Sequence, residues 1–392
     1  MNNKTKNFVI CIVLIVFFFG FSLLCLFMPK PEFLDSERRE PAAFPELTID
    51  SVMKDGVEYK DSFMKAFDDN YTPDNFPFRD AFRSLKGFVV NYLFNHRDKD
   101  GIFMVDGYIA EMQETVNKVE ETQKDPATGE SVKVPVPSYE YAAKKFKFIY
   151  DMYLKNKNAN TYLSIIPDKA YFLAEKNGYL SMDYADFIKK MTESADFAEY
   201  IDITGVLSIE DYYKTDTHWR QEKLTDVAAL LVDSMGGNYD SKYDKNTLEH
   251  PFYGVYSGRV GRPVYPETIY YLTNENMKNI KVTDYQNGGK EISLYDMVKA
   301  EGKDPYDMFL SGELSKVTIE NANAKTNKEL VVFRDSYGRS LIPLLADDYA
   351  KITVVDIRYA HPMMLLGDVN FENADVLFLY STLVLNNSGE LK

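Results

Sequence analysis

The sequence predicts an α/β fold, a mostly parallel sheet with helices on both faces, preceded by one transmembrane helix. Three observations carry this. The runs TYLSIIP (161–167), ELVVF (329–333), KITVVDI (351–357) and DVLFLY (375–380) alternate with segments of helical apolar spacing. These runs are almost unbroken in Val, Ile, Leu and Phe, as strands covered on both faces are, and their alternation with helices is the pattern of a parallel sheet. A long uncharged stretch near the amino terminus precedes all of them.

That stretch, FVICIVLIVFFFGFSLLCLFM at 8–28, comes first. At about 1.5 Å per residue it is about 30 Å long, the thickness of a bilayer's hydrocarbon core. A cleaved signal peptide would have an apolar part of about 7–15 residues ending in a small-residue cleavage site. FSLLCLFMPKPE offers neither, and Leu24 stands where lipoprotein processing at Cys25 needs a small residue, so the run reads as an uncleaved anchor. A tail of residues 1–7 before a first span most often stays cytoplasmic, which places the rest outside the cell membrane. Both cysteines, Cys11 and Cys25, lie in the anchor, leaving the exterior part without disulfide or thiol chemistry. The net charge of −15 argues against nucleic acid and other polyanions as partners and fits neutral or exposed-sugar substrates better.

Residues 29–95 divide into a proline- and charge-rich stalk, PKPEFLDSERREPAAFPEL, and a helical entry segment over about 49–94 that TPDNFPFRD interrupts. The main domain, 96–392, opens with DKDGIFMVDGYIAEM, whose two Asp-Gly pairs flank a short apolar run and predict a hairpin. ETVNKVEETQKDPATGESVKVPVPS reads as a polar loop, SMDYADFIKKMTESA as a helix and EYIDI as a strand. Residues 236–328 read as an insertion of hairpins and short helices, and SYGRSLIPLLADDYA as a helix that Pro343 kinks.

Functional residues in such sheets collect just beyond the carboxyl ends of strands, and two segments qualify. In YKTDTHWRQEKLTDVAALLVDSM, apolar residues at helical spacing predict a helix from near Trp219, capped by Asp216 or Thr217. Asp216 is close enough to hold one ring nitrogen of His218 and leave the other facing outward. Trp219, the only tryptophan, is expected to wall the imidazole and offer a ring face to a sugar. In VVFRDSYGRS a buried strand runs into a helix within two residues, exposing Ser336 on the turn, with Asp335 to cap the helix or hold the turn. An Asp, a His and a Ser at one sheet edge are the parts of nucleophilic acyl chemistry. Each also has a structural reading, as cap or packing residue. Arg358, after the next strand, reads either as a salt bridge or as a substrate-positioning group.

DTHW at 216–219, followed far downstream by RDSYGRSLIPLLADDYAKITVVDIRY, resembles the DHHW family and the alginate O-acetyltransferase-like proteins with an SGNH-hydrolase-like domain. FPFRD, DGIFMVDG and TYLSIIPDKA extend the resemblance over most of the exterior domain. It implies an SGNH-hydrolase-like sheet and a triad of Ser336, His218 and Asp216 that transfers an acetyl group to an exopolysaccharide or other cell-envelope glycan. It also implies a membrane-bound O-acyltransferase partner as acyl donor, and no metal or cofactor is called for. Ordinary SGNH hydrolases place the Ser before a later D-x-x-H, whereas here the D-x-H comes first. Their Asn oxyanion donor has no clear counterpart, and Gly312 in Ser311-Gly312 is the candidate for their Gly donor.

The reading is therefore a membrane-anchored extracytoplasmic O-acetyltransferase. The alternatives are an inactive glycan-binding or assembly module that keeps these residues as structure, and a glycan deacetylase that passes the acyl group to water. The topology makes one expectation independent of chemistry. Protease added to intact cells should remove the large domain and leave only the anchor; a domain that survives intact would reverse the orientation.

Overall fold

The computed structural model describes residues 3–32, 34, 40–48, 62–90, 98, 99, 101–124, 130–260 and 264–392. Parts of the expected tail (1, 2), stalk (33, 35–39), helical entry (49–61, 91–95), domain start (96, 97, 100), polar loop (125–129) and insertion (261–263) lie outside them. The chain forms two compact units, Met1–Lys99 with Ser257–Pro263, and Asp100–Tyr256 with Val264–Lys392.

The first unit contains the helix Asn3–Phe27, long and apolar enough to cross a membrane. It also holds the helix Arg79–Phe88, which follows Phe78 of FPFRD, a residue at φ 56°. Phe44 packs against Phe63, Phe67 and Tyr71 at centroid distances of 5.0–5.9 Å, an aromatic cluster in a segment expected only as stalk and entry helix.

The second unit is built on one eight-stranded sheet. In chain order its strands are β1 (Asn160–Ile166), β2 (Glu199–Tyr200), β3 (Lys281–Asp284), β4 (Lys290–Ile292), β5 (Lys316–Glu320), β6 (Glu329–Arg334), β7 (Lys351–Val355) and β8 (Asp375–Ser381). They lie in the order β4-β3-β5-β7-β6-β8-β1-β2. The five strands from β7 to β2 are parallel, and β5, β3 and β4 add antiparallel at the other edge. The interval 236–328 is thus no separate insertion throughout, because three of its segments extend the sheet.

Alternation along the central strands sorts the core into two layers. Leu330 and Val332 of β6, with Val354 and Leu377, face a layer that includes Trp219, Leu231 and Leu341. Val331 and Phe333, with Val376 and Phe378, face Phe146, Phe187 and Met191 from the helices Ser138–Ile149 and Tyr184–Ser194. Phe333, Val354 and Leu377 are buried, Val332 standing in parallel register with Val354 and Leu377. The helix after Ser336 is shorter than its apolar spacing suggested. It runs Gly338–Leu341 and tightens into a 3₁₀ turn at Ile342–Leu345, where Pro343 lacks the amide that would continue the α pattern.

Two sequence expectations outside the sheet have different outcomes. The hairpin of Ile102–Val105 and Tyr108–Glu111 is present, its turn formed by Asp106 and Gly107 at positive φ. The polar stretch after it is not a loop but a second ribbon, Lys118–Lys124 paired with Ser131–Pro137. Val132, Val134 and Val136 alternate at a period of two there, and the surrounding charges mask it.

A buried ion pair closes the carboxyl edge. Arg334, at the end of β6, is fully buried and donates from Nη1 to Asp356 Oδ2 at 2.9 Å; Asp356 also accepts from Nε and Nη2 of Arg358 at 2.9 and 2.7 Å. Burial lowers the Arg334 guanidinium to about 10. Burial acts to raise the Asp356 carboxyl, but Arg334 and Arg358 outweigh it and hold the group below the usual carboxylate range. Removing one partner of such a pair leaves a buried charge uncompensated. Asp356→Ala should therefore cost about 3–5 kcal/mol in a urea titration of the full chain; a loss below 1 kcal/mol would show that water reaches the guanidinium.

Candidate active site

The segment 212–221 is not the start of a helix. The helix begins at Thr225, after a 3₁₀ turn at Gln221–Lys223, and His218 ends a bend over 214–218, with Trp219 bridged to Tyr212. The reason lies in Asp216, whose Oδ1 accepts from the His218 amide at 3.0 Å and from His218 Nδ1 at 2.6 Å. The carboxylate closes a local turn onto its own histidine, while the bridge draws Trp219 towards Tyr212. With Nδ1–H donating to Asp216, Nε2 is the acceptor, and it lies 2.8 Å from Ser336 Oγ.

Ser336 sits on the turn beyond β6, partly exposed between buried Asp335 and Tyr337. Asp335 holds the turn. Its Oδ1 accepts from the Tyr337 amide at 3.0 Å, its Oδ2 from the Ser381 amide at 2.7 Å, and its carbonyl from the Gly338 amide at 3.2 Å. The carboxylate thereby ties the turn to the end of the neighbouring strand β8. Gly338 is required by crowding, since a Cβ there would lie 2.9 Å from Arg334 Cβ.

Three further bonds lock the two segments together. Tyr337 Oη donates to Thr217 O at 2.6 Å, Trp219 Nε1 to Tyr337 O at 2.9 Å, and Gln221 Nε2 to Ser340 O at 2.7 Å. Trp219 is fully buried, packed edge-on to Tyr337 at 5.6 Å. It therefore has no ring face to offer a sugar, and that expectation is corrected: the indole fastens the two segments instead. The ring that walls the imidazole is Tyr306, stacked on His218 at 4.1 Å and 11°. Tyr306 is itself fixed, its Oη donating to Ser340 Oγ at 2.8 Å, and the next residue, Asp307, accepts from Arg339 Nη1 at 2.8 Å. No short-range signal in the sequence marks Tyr306, which comes from the interval expected as an insertion.

The remaining sequence candidates have other tasks. Arg358 lays Nε and Nη2 on Asp356, so its salt-bridge reading holds and its donors on that side are taken. The Gly312 amide donates to Phe309 O at 3.2 Å within a tight turn at φ +80°, so it serves that turn and not an oxyanion.

The backbone before Asp216 is held closely. Val255 N donates to Asp216 Oδ2 at 2.8 Å and Gly254 N to Thr215 Oγ1 at 2.9 Å. A Cβ on Gly254 would fall 2.1–2.2 Å from backbone atoms of Thr215 and Asp216, a distance no side chain tolerates.

No family model and no curated protein matches the chain. Solved structures do. A DHHW family protein from Eubacterium siraeum aligns with TM-score 0.54 at 20% identity, over 74% of this chain and 97% of that one. Bacillus cereus PatB1, solved with a sulfonyl adduct, aligns with TM-score 0.53 at 18% identity, over 72% and 95%. The O-acetyltransferase domain of Pseudomonas putida AlgJ aligns with TM-score 0.41 at 13% identity, over 73% and 92%. The first two likenesses show that this chain shares the fold of the DHHW family protein and of PatB1.

The close approach at Gly254 makes the geometry testable without a known substrate. Gly254→Ala must push the Asp216 segment away, and a displacement of about 1 Å at a reacting group costs about 10²-fold in rate. The rate of Ser336 labelling by phenylmethylsulfonyl fluoride should fall by about that factor in the folded variant, and the melting temperature should drop with the about 1–3 kcal/mol that overpacking costs. Labelling at the wild-type rate would mean that the segment is free to shift without loss.

Proposed function

We propose that this chain is a membrane-anchored, extracytoplasmic O-acetyltransferase that modifies a cell-envelope glycan through Ser336, His218 and Asp216. The observation that carries the proposal is the hydrogen-bonded line from Asp216 through His218 to Ser336, with spacings of 2.6 and 2.8 Å. The shared fold with PatB1 and the DHHW family protein supports it, as does the apolar helix Asn3–Phe27.

The chemistry follows from the roles. Ser336 Oγ attacks the carbonyl carbon of the donor ester as its proton passes to His218 Nε2. The tetrahedral intermediate collapses, the donor's oxygen leaves with that proton, and an acetyl ester remains on Ser336. A glycan hydroxyl then attacks this ester, giving its proton to His218 Nε2, which passes it to Ser336 Oγ as that oxygen leaves. Asp216 keeps the imidazole in the tautomer with Nε2 unprotonated and stabilises the imidazolium formed on the way. Asp335 secures the nucleophile turn through the Tyr337 and Gly338 amides without using the Ser336 amide, which is left to serve as an oxyanion donor. The acyl group arrives at the outer face from a membrane-bound O-acyltransferase partner, and the glycan is the acceptor.

Acetyl release from p-nitrophenyl acetate by the purified full chain, read beside thermal melting, tests the triad. Ser336→Ala and His218→Ala should each abolish turnover with little loss of stability, and the double variant should be no worse than either, because the groups act as a unit. Asp216→Asn should fold and lose about 10⁴-fold in kcat by favouring the wrong tautomer. Full turnover in a folded His218→Ala would defeat the triad, and no turnover in the folded wild type would leave the binding or assembly module.

A further inference from the structure

Lys169 is a buried cation that the reaction above does not use. It opens the short helix Lys169–Leu173, is 3% exposed, and its Nζ donates to the carbonyl oxygens of Tyr213 and Lys214 at 3.0 and 3.1 Å. These are two of the three residues just before Asp216. On the amide side of the same peptides stands Glu267, whose Oε1 accepts from Lys214 N at 2.7 Å. Its Oε2 accepts from Thr215 N and Oγ1, both at 2.6 Å. One cation thus holds both carbonyls, that of Lys214 together with the Ile109 amide at 2.8 Å, and Glu267 holds the amides of a loop that has no strand ladder there.

We propose that Lys169 and Glu267 are positioning residues that clamp the backbone leading into Asp216, and that losing the Lys169 proton slackens the clamp and slows acyl transfer. The proposal rests on the triad reading and deepens it. Hydrogen bonds from an ionised donor are roughly twice as strong as neutral ones, so a neutral amine holds the two carbonyls less tightly. Asp216 then loses its fixed approach to His218, and the effect falls on turnover, since neither clamp residue touches substrate.

The surroundings of Lys169 put its titration within reach. Burial lowers its ammonium to about 7, against the opposing pull of Asp216, Glu267 and Asp168. The Tyr256 ring lies 5.0 Å from Nζ, while the nearby Lys214 ammonium points away, over Tyr108. The Asp168 carboxyl is raised by its own burial despite bonds from Thr382 and Tyr184. Activity and stability then carry opposite signs. The clamp is charged below about pH 7 and weakens as pH rises through that value. Unfolded lysine keeps its proton to about 10.4. Between these values the unfolded chain binds the extra proton, so the contribution of Lys169 to stability increases with pH. A fall in turnover over that interval therefore cannot come from unfolding at this group.

The test uses the full chain in detergent, with active sites counted by sulfonyl fluoride titration and turnover of p-nitrophenyl acetate followed from pH 6 to 9. At pH 6, Lys169→Met should lower kcat by about 10–100-fold with KM nearly unchanged. The gap should close as the wild type loses its proton. Glu267→Gln should lower kcat at every pH. Lys169→Arg, whose charge persists, should lack the alkaline fall, and it decides the matter if the Met variant does not fold. A Met variant with full kcat, a gap constant with pH, or an Arg variant that keeps the wild-type fall would each overturn the clamp. Turnover surviving in Ser336→Ala would instead overturn the triad reading beneath it.

Discussion

Everything at the site depends on holding two segments 118 residues apart so that His218 Nε2 and Ser336 Oγ stay 2.8 Å from each other. No local turn can set such a distance. It is set by side chains of one segment bonded to the backbone of the other, at Thr217–Tyr337, Trp219–Tyr337 and Gln221–Ser340. These bonds lie in or beside the core, where an unmade partner costs its full desolvation, so the arrangement is nearly all-or-none. The lone tryptophan stands beside the histidine because its ring fills the core while its single N–H reaches Tyr337 O.

The two halves of the site are held by different means. On the Ser336 side, the backbone of β6 is satisfied by the parallel ladders to β7 and β8, and one carboxylate, Asp335, finishes the turn. The Asp216 side is a buried loop without a ladder, and buried peptide groups must still find partners. Lys169, Glu267 and the amides of Ile109 and Tyr256 supply them. Ionised groups are expensive to bury, but here each faces several polar partners and the opposite charge is close. Charge thus gathers around the loop because the sheet does not extend there.

The sheet was readable in the sequence because its central strands are covered on both faces, which forces long apolar runs such as ELVVF and DVLFLY. The three strands from the interval 281–320 were not, since they are short and carry charges, as at Lys281, Lys290 and Lys316, that look like loop residues. DTHW and DSYG could be placed near one sheet edge from topology alone. The mistaken helix at Trp219 came from a real apolar period that starts only at Leu224; a carboxylate closing onto its own histidine outweighs helix propensity locally. Tyr306, Glu267 and Gly254 were illegible because each acts through a contact that no spacing rule describes.

The same contacts explain why motifs so short are informative together. In DSYG, Asp335 binds Ser381 N, Ser336 stays open, Tyr337 reaches back to Thr217, and Gly338 leaves room for Arg334. In DTHW, Asp216 orients the ring, Thr217 accepts from Tyr337, His218 meets Ser336, and Trp219 bonds Tyr337. Three of the four residues in the second motif thus have their partner in the first. Either tetrapeptide alone is an ordinary turn, because its distinctive side chains would then point at nothing. The information lies in the interlock: Tyr337 Oη and Trp219 Nε1 each reach a main-chain carbonyl of the other motif, and His218 meets Ser336 only when both motifs are present.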